Sequence, residues 1–286
     1  MTLFSKTILC ALLACSAAVV PAAPILFSSA GPDGAAIQGS VDAFRASLGT
    51  LNPNVSGSFG SGRREINWDG VPDAFSAPNN LPANFFNSNS PRGVVFSTPG
   101  TGFQVSANAG VAPIQFDNID ASYSGLFTAF SPQRLFTALG SNIVDVNFFI
   151  SGSSTSALTS GFGAVFTDVD LANTTSIEFF SSLNASLGQF FVPSFTGNET
   201  LSFLGVRFTE GSVVSRVRIT NGNQILAPGN TANDLVVMDD FIYGEPVQAA
   251  HLIAEPPMGL LMLASLAGMA GATAIRRRRE RKTRDR

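Results

Sequence analysis

From Asn142 onward one pattern repeats: a short apolar run, a cluster of Gly, Ser, Asn or Pro, then another apolar run. The runs cover residues 143–150, 162–169, 176–180, 187–192, 201–209, 213–220 and 235–243. Their turn residues recur at intervals of roughly ten residues, the spacing of a sandwich of short strands. In one run Val213, Val217 and Ile219 fall on one face while Arg216 and Arg218 fall on the other, the alternation of a half-buried strand. Phenylalanine supplies the bulk: 25 residues, against one Trp and two Tyr. These features predict a mainly β chain with a β-sandwich core over residues 141–246.

Residues 23–140 read as a more varied N-terminal part of the same body. Ile37, Val41, Phe44 and Leu48 recur at helical spacing, and Gly49 follows as a C-cap, so a short helix is expected there. Arg64, Ile66 and Trp68 alternate with Glu65 and Asn67 in a strand that Asp69-Gly70 and Pro72 would end. The stretch PRGVVFSTPGTGFQVSA, residues 91–107, predicts two strands broken at Pro99-Gly100. Between Phe127 and Leu139, Ser131-Pro132 could cap a short helix with Pro in its first turn.

Both ends of the chain carry targeting signals. Lys6, the apolar stretch Thr7 to Val20 and the small-residue site Val20-Pro21-Ala22 make residues 1–22 a signal peptide. Leu12-Leu13-Ala14-Cys15 also approximates a lipobox, which would lipidate Cys15 instead. At the other end, a linker over residues 247–257 contains Ile253-Ala254-Glu255-Pro256. It leads into 18 uncharged residues, Met258 to Ile275. With Leu252 and Ile253 upstream, that run reaches the ~20 residues of a transmembrane helix. Residues 276–286 follow as a basic tail, and Arg276, Arg277, Arg278 and Arg279 hold it on the cytoplasmic side.

A Glu-Pro motif, one apolar span and a terminal arginine cluster, in that order, resemble the PEP-CTERM sorting signal of exported Gram-negative bacterial proteins. That signal has the form Val-Pro-Glu-Pro; this chain keeps Glu255 and Pro256 and has Ala254 where the first proline belongs. The resemblance implies a partner, an exosortase-type membrane enzyme that cuts near Glu255-Pro256. It also implies a location: the inner membrane as precursor, then the cell surface or the extracellular space. A competing reading keeps the helix as a permanent anchor. The segments SFLGVRF, SRVRIT and VVMDDFIYGE resemble the jelly-roll ends of other PEP-CTERM ectodomains, which makes the expected sandwich jelly-roll-like. GRREINWDGVP and PRGVVFSTPGTGFQVSA resemble stretches of uncharacterised secreted bacterial proteins, with no activity attached.

Composition removes several kinds of chemistry. Cys10 and Cys15 are the only cysteines, and both lie in the leader, so the mature body forms neither disulfide nor thiolate site. The one histidine is His251, in the linker; Ser-His-Asp and Cys-His catalysis and histidine zinc sites therefore have no residues to use. Between Ala23 and Glu255 lie eight arginines, no lysine and 18 of the 20 acidic residues, all but Glu280 and Asp285. That balance of about −10 does not suit nucleic acid, whose phosphates need cations.

Carboxylates remain. Asp239-Asp240 sits within one expected strand, where neighbouring side chains point to opposite faces. Asp168 and Asp170, two apart, would share a face with Phe162, Ala164 and Phe166. A carboxylate there needs a cation, backbone N–H groups or a metal. Asp117-Asn118-Ile119-Asp120 is a further oxygen cluster, and oxygen-only ligands suit a structural calcium ion. Trp68 beside Asp69 and Arg64 has two readings: a core plug over an Asp-Gly turn, or an aromatic platform for a sugar. The expected function is a non-catalytic structural or glycan-binding sandwich that meets extracellular polysaccharide. The alternative is a glycan hydrolase working through two carboxylates.

Overall fold

The computed structural model describes residues 23–230 and 234–249. The signal peptide, Cys15, the Glu255-Pro256 motif, the 258–275 span and the Arg276–Arg279 cluster lie outside those residues. Among the described residues, no helix is long and apolar enough to cross a membrane.

In chain order the elements are β1 (Ile25–Gly31), α1 (Gly34–Leu48), β2 (Arg63–Ile66), α2 (Phe85–Ser88), β3 (Val94–Ser97), β4 (Gly102–Val105), β5 (Phe136–Leu139) and β6 (Ile143–Phe148). They continue with β7 (Ala157–Leu158), β8 (Gly161–Thr167), β9 (Ser176–Phe180), β10 (Ser186–Phe191), β11 (Leu201–Arg207), β12 (Arg216–Thr220), β13 (Val237–Gly244) and β14 (Val247–Gln248). Two antiparallel sheets carry most of them. One is seven-stranded, ordered β1-β11-β8-β13-β5-β4, with β2 also on β13. The other is five-stranded, ordered β10-β9-β12-β6-β3. Strands from residues 23–140 thus lie in both sheets, and Val247–Gln248, at the start of the expected linker, pairs with β7.

The sheets face each other across a core of Phe96, Phe136, Phe148, Phe162, Phe179 and Phe241, among others. The alternation read from the sequence does its work here: Val217 and Ile219 enter this core while Arg216 and Arg218 stay outside it. The strands β8 and β13 are different, since every residue in them is buried. They are buried because two layers cover the outer face of the seven-stranded sheet. One layer is α1, whose Ile37, Val41, Phe44 and Leu48 pack on Val165, Leu201, Phe203 and Ile242. Asp33 caps this helix by accepting from Ala36 N at 3.0 Å, and Gly49 ends it at a φ of 98°. Beneath Phe44, Gly163 and Gly205 are paired across β8 and β11. A Cβ on Gly205 would stand 2.7 Å from the Phe44 ring, so the two glycines form the trough that lets the helix approach.

The second layer is Phe116, Tyr123, Phe127 and Leu135, packed with Leu226, Leu235 and Val237. No helix forms at Ser131-Pro132, contrary to the expectation, and the chain there runs through bends into β5. Ser131 is instead fixed on the sheet by Asp239, to which its N–H and hydroxyl both donate, at 3.0 and 3.2 Å. Leu135 and Phe136 then go to opposite sides of the sheet, which only an extended backbone allows.

Candidate functional site

The sugar-platform reading of Trp68 fails on burial. Trp68 is 1% exposed, and its ring stacks on Phe136 at a centroid distance of 4.1 Å, with Phe86 and Phe241 edge-on. Its indole N–H donates to Asp239 O at 2.9 Å, so Trp68 is the core plug. Arg64 is equally inaccessible. Its guanidinium meets Glu245 at 2.8 and 2.9 Å and donates to the carbonyls of Val55, Gly57 and Pro91. It ties the 55–57 loop to the sheet end and can reach no ligand. Asp69 is half-buried, and burial pushes its carboxyl up to about 6.

Asp239 and Asp240 do not point to opposite faces. The register of β13 against β8 slips between Met238 and Phe241, which pair with Phe166 and Ala164, so one extra residue bulges there. Met238 and Phe241 both enter the inter-sheet core, and the two aspartates between them lie off it, on the α1 side. Asp239 accepts from Phe130 N at 2.6 Å and from Ser131, while Asp240 accepts from Arg45 of α1 at 3.0 Å. Arg45 also pairs with Glu65, and Arg63 reaches the same Glu65. Burial raises both aspartates, with the neighbouring Asp240 charge adding to the effect on Asp239. Two carboxyls do converge here, but both are sealed from solvent and have no room for a sugar.

Asp168 and Asp170 do not extend the apolar face of β8 either. Asp168 adopts a φ of 68°, which turns its side chain off that face, and Val169 enters the core instead. Asp168 is 4% exposed, and its Oδ1 has no hydrogen-bond partner. Burial, followed by the charges of Asp170 and Asp234, pushes it up to about 8. Asp170 accepts from Gly197 N at 2.7 Å, and Asp234 accepts from the N–H groups of Asp170 and Leu171 and from the Thr174 hydroxyl. Among the described residues no group of three or more His, Cys, Asp or Glu side chains is arranged to hold a metal ion. At the 117–120 cluster, Asp120 closes turns, accepting from Ser122 and from Gly229 N.

The open surface is elsewhere, on the outer face of the five-stranded sheet. Strand pairing places Gln189, Glu178, Arg218, Asp145 and Ser97 in one row across all five strands. The adjacent row is Ser186, Phe180, Arg216, Asn147 and Val95. Asp145 accepts from Arg218 at two positions, both 2.9 Å, and from Arg216 at 2.8 Å. The Arg216 guanidinium lies 3.8 Å over the Phe180 ring and donates to Asn184. Phe191, 48% exposed, adds a bare ring at the edge. Sequence reasoning placed Arg216 and Arg218 facing solvent. It could not see the rows, because register is set by long-range pairing rather than by local pattern.

No family model matches the chain, and no curated protein matches it. Among solved structures, the enzymatically active domain of bacteriophage CBA120 tailspike protein 4 is similar over 57% of this chain, with 13% identity and a TM-score of 0.27. This chain covers 20% of that one. A mutant of the family 29 carbohydrate-binding module CBM29-2 is similar over 53% of this chain and 91% of that one, with 9% identity and a TM-score of 0.24. At these scores neither likeness bears on fold or function.

Proposed function

We propose that this is an exported protein of the cell surface or extracellular matrix, delivered by its PEP-CTERM-like signal, whose sandwich binds polysaccharide without catalysis. The fold is read as jelly-roll-like: the paths β2-β13-β8-β11 and β6-β12-β9-β10 give the alternation of strands between sheets that two Greek keys produce. The observation that carries the binding reading is the face of the five-stranded sheet that the described residues leave uncovered. Its rows offer donors and acceptors at strand spacing for sugar hydroxyls, with Phe191 as a flat apolar contact and Phe180 holding Arg216 in place beside it. The carboxylate-hydrolase alternative is weakened by the burial of Asp239 and Asp240.

Intact mass of the protein from membrane and medium fractions of its host tests delivery. A species running from near Ala23 to near Glu255 supports sorting by an exosortase-type enzyme. A C-terminus intact to Arg286 and confined to the membrane supports the permanent anchor and overturns sorting.

A further inference from the structure

Polysaccharide binding on the five-stranded sheet makes no use of the buried acid pair on the other sheet. We infer that Asp239 and Asp240 share one proton at neutral pH and form a latch that holds α1 and the 130–131 segment on the seven-stranded sheet, loosening as pH rises.

The hydrogen-bond inventory points there. Asp239 Oδ2 accepts from Phe130 N at 2.6 Å and Ser131 N at 3.0 Å, and its Oδ1 accepts from the Ser131 hydroxyl at 3.2 Å. Asp240 Oδ2 accepts from Arg45 at 3.0 Å, but Asp240 Oδ1 is buried with no donor. The bulge puts the two carboxyls on one side of the strand, and two anions there would repel each other out of reach of water. A proton held between them supplies the missing donor to Asp240 Oδ1.

Charge balance gives the same answer. From α1 the pair meets Arg45, with the largely exposed Asp42 3.7 Å from that guanidinium. From β2 come Glu65 and Arg63, which are bonded to each other. Asp69 stands nearby beyond β2, and Arg134 is engaged by Asp73. The 130–131 segment brings no charge. Arg45 and Arg63 supply two positive charges against Glu65 and the pair, and Asp69 adds negative charge nearby, so full ionisation of the pair would leave buried negative charge uncompensated.

The sign of the linkage follows. A carboxyl whose folded value lies above its unfolded value, about 4, gives stability that is fully present below the unfolded value. That stability is lost as pH rises through the folded one.

Amide hydrogen exchange of the full chain at pH 6 and pH 9, corrected for intrinsic rates, reads the latch directly. Opening of the α1 amides in the wild type should rise by about tenfold or more, the factor accompanying one pH unit of linked titration. With Asp168→Asn in both chains to remove that carboxyl's own titration, Asp239→Asn keeps the shape and cannot ionise, so its α1 opening should stay flat; Asp240→Asn serves if that variant does not fold. Infrared spectra with isotope-labelled aspartate, in an Asp168→Asn background, should show a protonated aspartate carboxyl at pH 7. Parallel opening in wild type and variant, or no protonated carboxyl at pH 7, overturns the inference.

Discussion

The two sheets draw on similar residues and meet water in opposite ways. The seven-stranded sheet is covered on both faces, by the inter-sheet core on one side and by α1 and the 116–135 layer on the other. Among the described residues the five-stranded sheet is covered on one face only, and β6 and β12 alternate buried and half-buried residues accordingly. The difference is already present in the residues. β8, as GFGAVFT, has no charged residue, whereas β12, as RVRIT, puts an arginine at every second position before Thr220. Where polar groups do enter the covered sheet they must be satisfied internally, as Arg64 is by Glu245. On the open sheet the same groups pair across strands and stay partly exposed, as Arg216, Arg218 and Asp145 do. The covered sheet is scaffold and the open one is surface.

The largest test of that contrast is Trp68→Ala, which empties the centre of the phenyl core and should cost about 3–5 kcal/mol in urea unfolding. Next is Gly205→Ala. Its methyl would strike the Phe44 ring on one side and approach the Phe203 ring at 3.0 Å on the other, at a cost of about 1–3 kcal/mol. Exchange protection of α1 should fall with it. A smaller effect is expected at Asp168. Its value of about 8 against an unfolded ~4 makes the wild type lose stability as pH rises from 4 through 8. Asp168→Asn should remove that part of the slope and raise the melting temperature at pH 8; an unchanged slope would mean that Asp168 finds a cation. Smallest is Arg218→Ala on the open face, where the side chain is 40% exposed. Its cost should stay within about 1 kcal/mol, the range of exposed ion pairs, while glycan retention falls.

What the sequence made legible divides along the same line. On the open sheet, local alternation was enough: β9 falls on residues 176–180 as read, and Arg216 and Arg218 face outward. α1 was legible from Ile37, Val41, Phe44 and Leu48 because helical spacing is also local. The covered sheet hid more. The bulge at Asp239-Asp240 is a mismatch between two strands distant in sequence, so strand parity put the two carboxyls on opposite faces. The turn at Asp168 likewise reversed which of Asp168 and Val169 faces the core. Between Phe127 and Leu139, Ser131-Pro132 looks like the cap of a short helix, and the Asp239 carboxyl that binds Ser131 lies 108 residues away.

The most direct measurement is polysaccharide binding by the full chain, scored on a carbohydrate array beside Phe180→Ala, Arg218→Ala and the scaffold variant Gly205→Ala at a temperature where all three are folded. The account predicts that the wild type and Gly205→Ala retain the same glycans while Phe180→Ala and Arg218→Ala lose them. Binding that survives both open-face changes, or no glycan retained by the wild type, would contradict it.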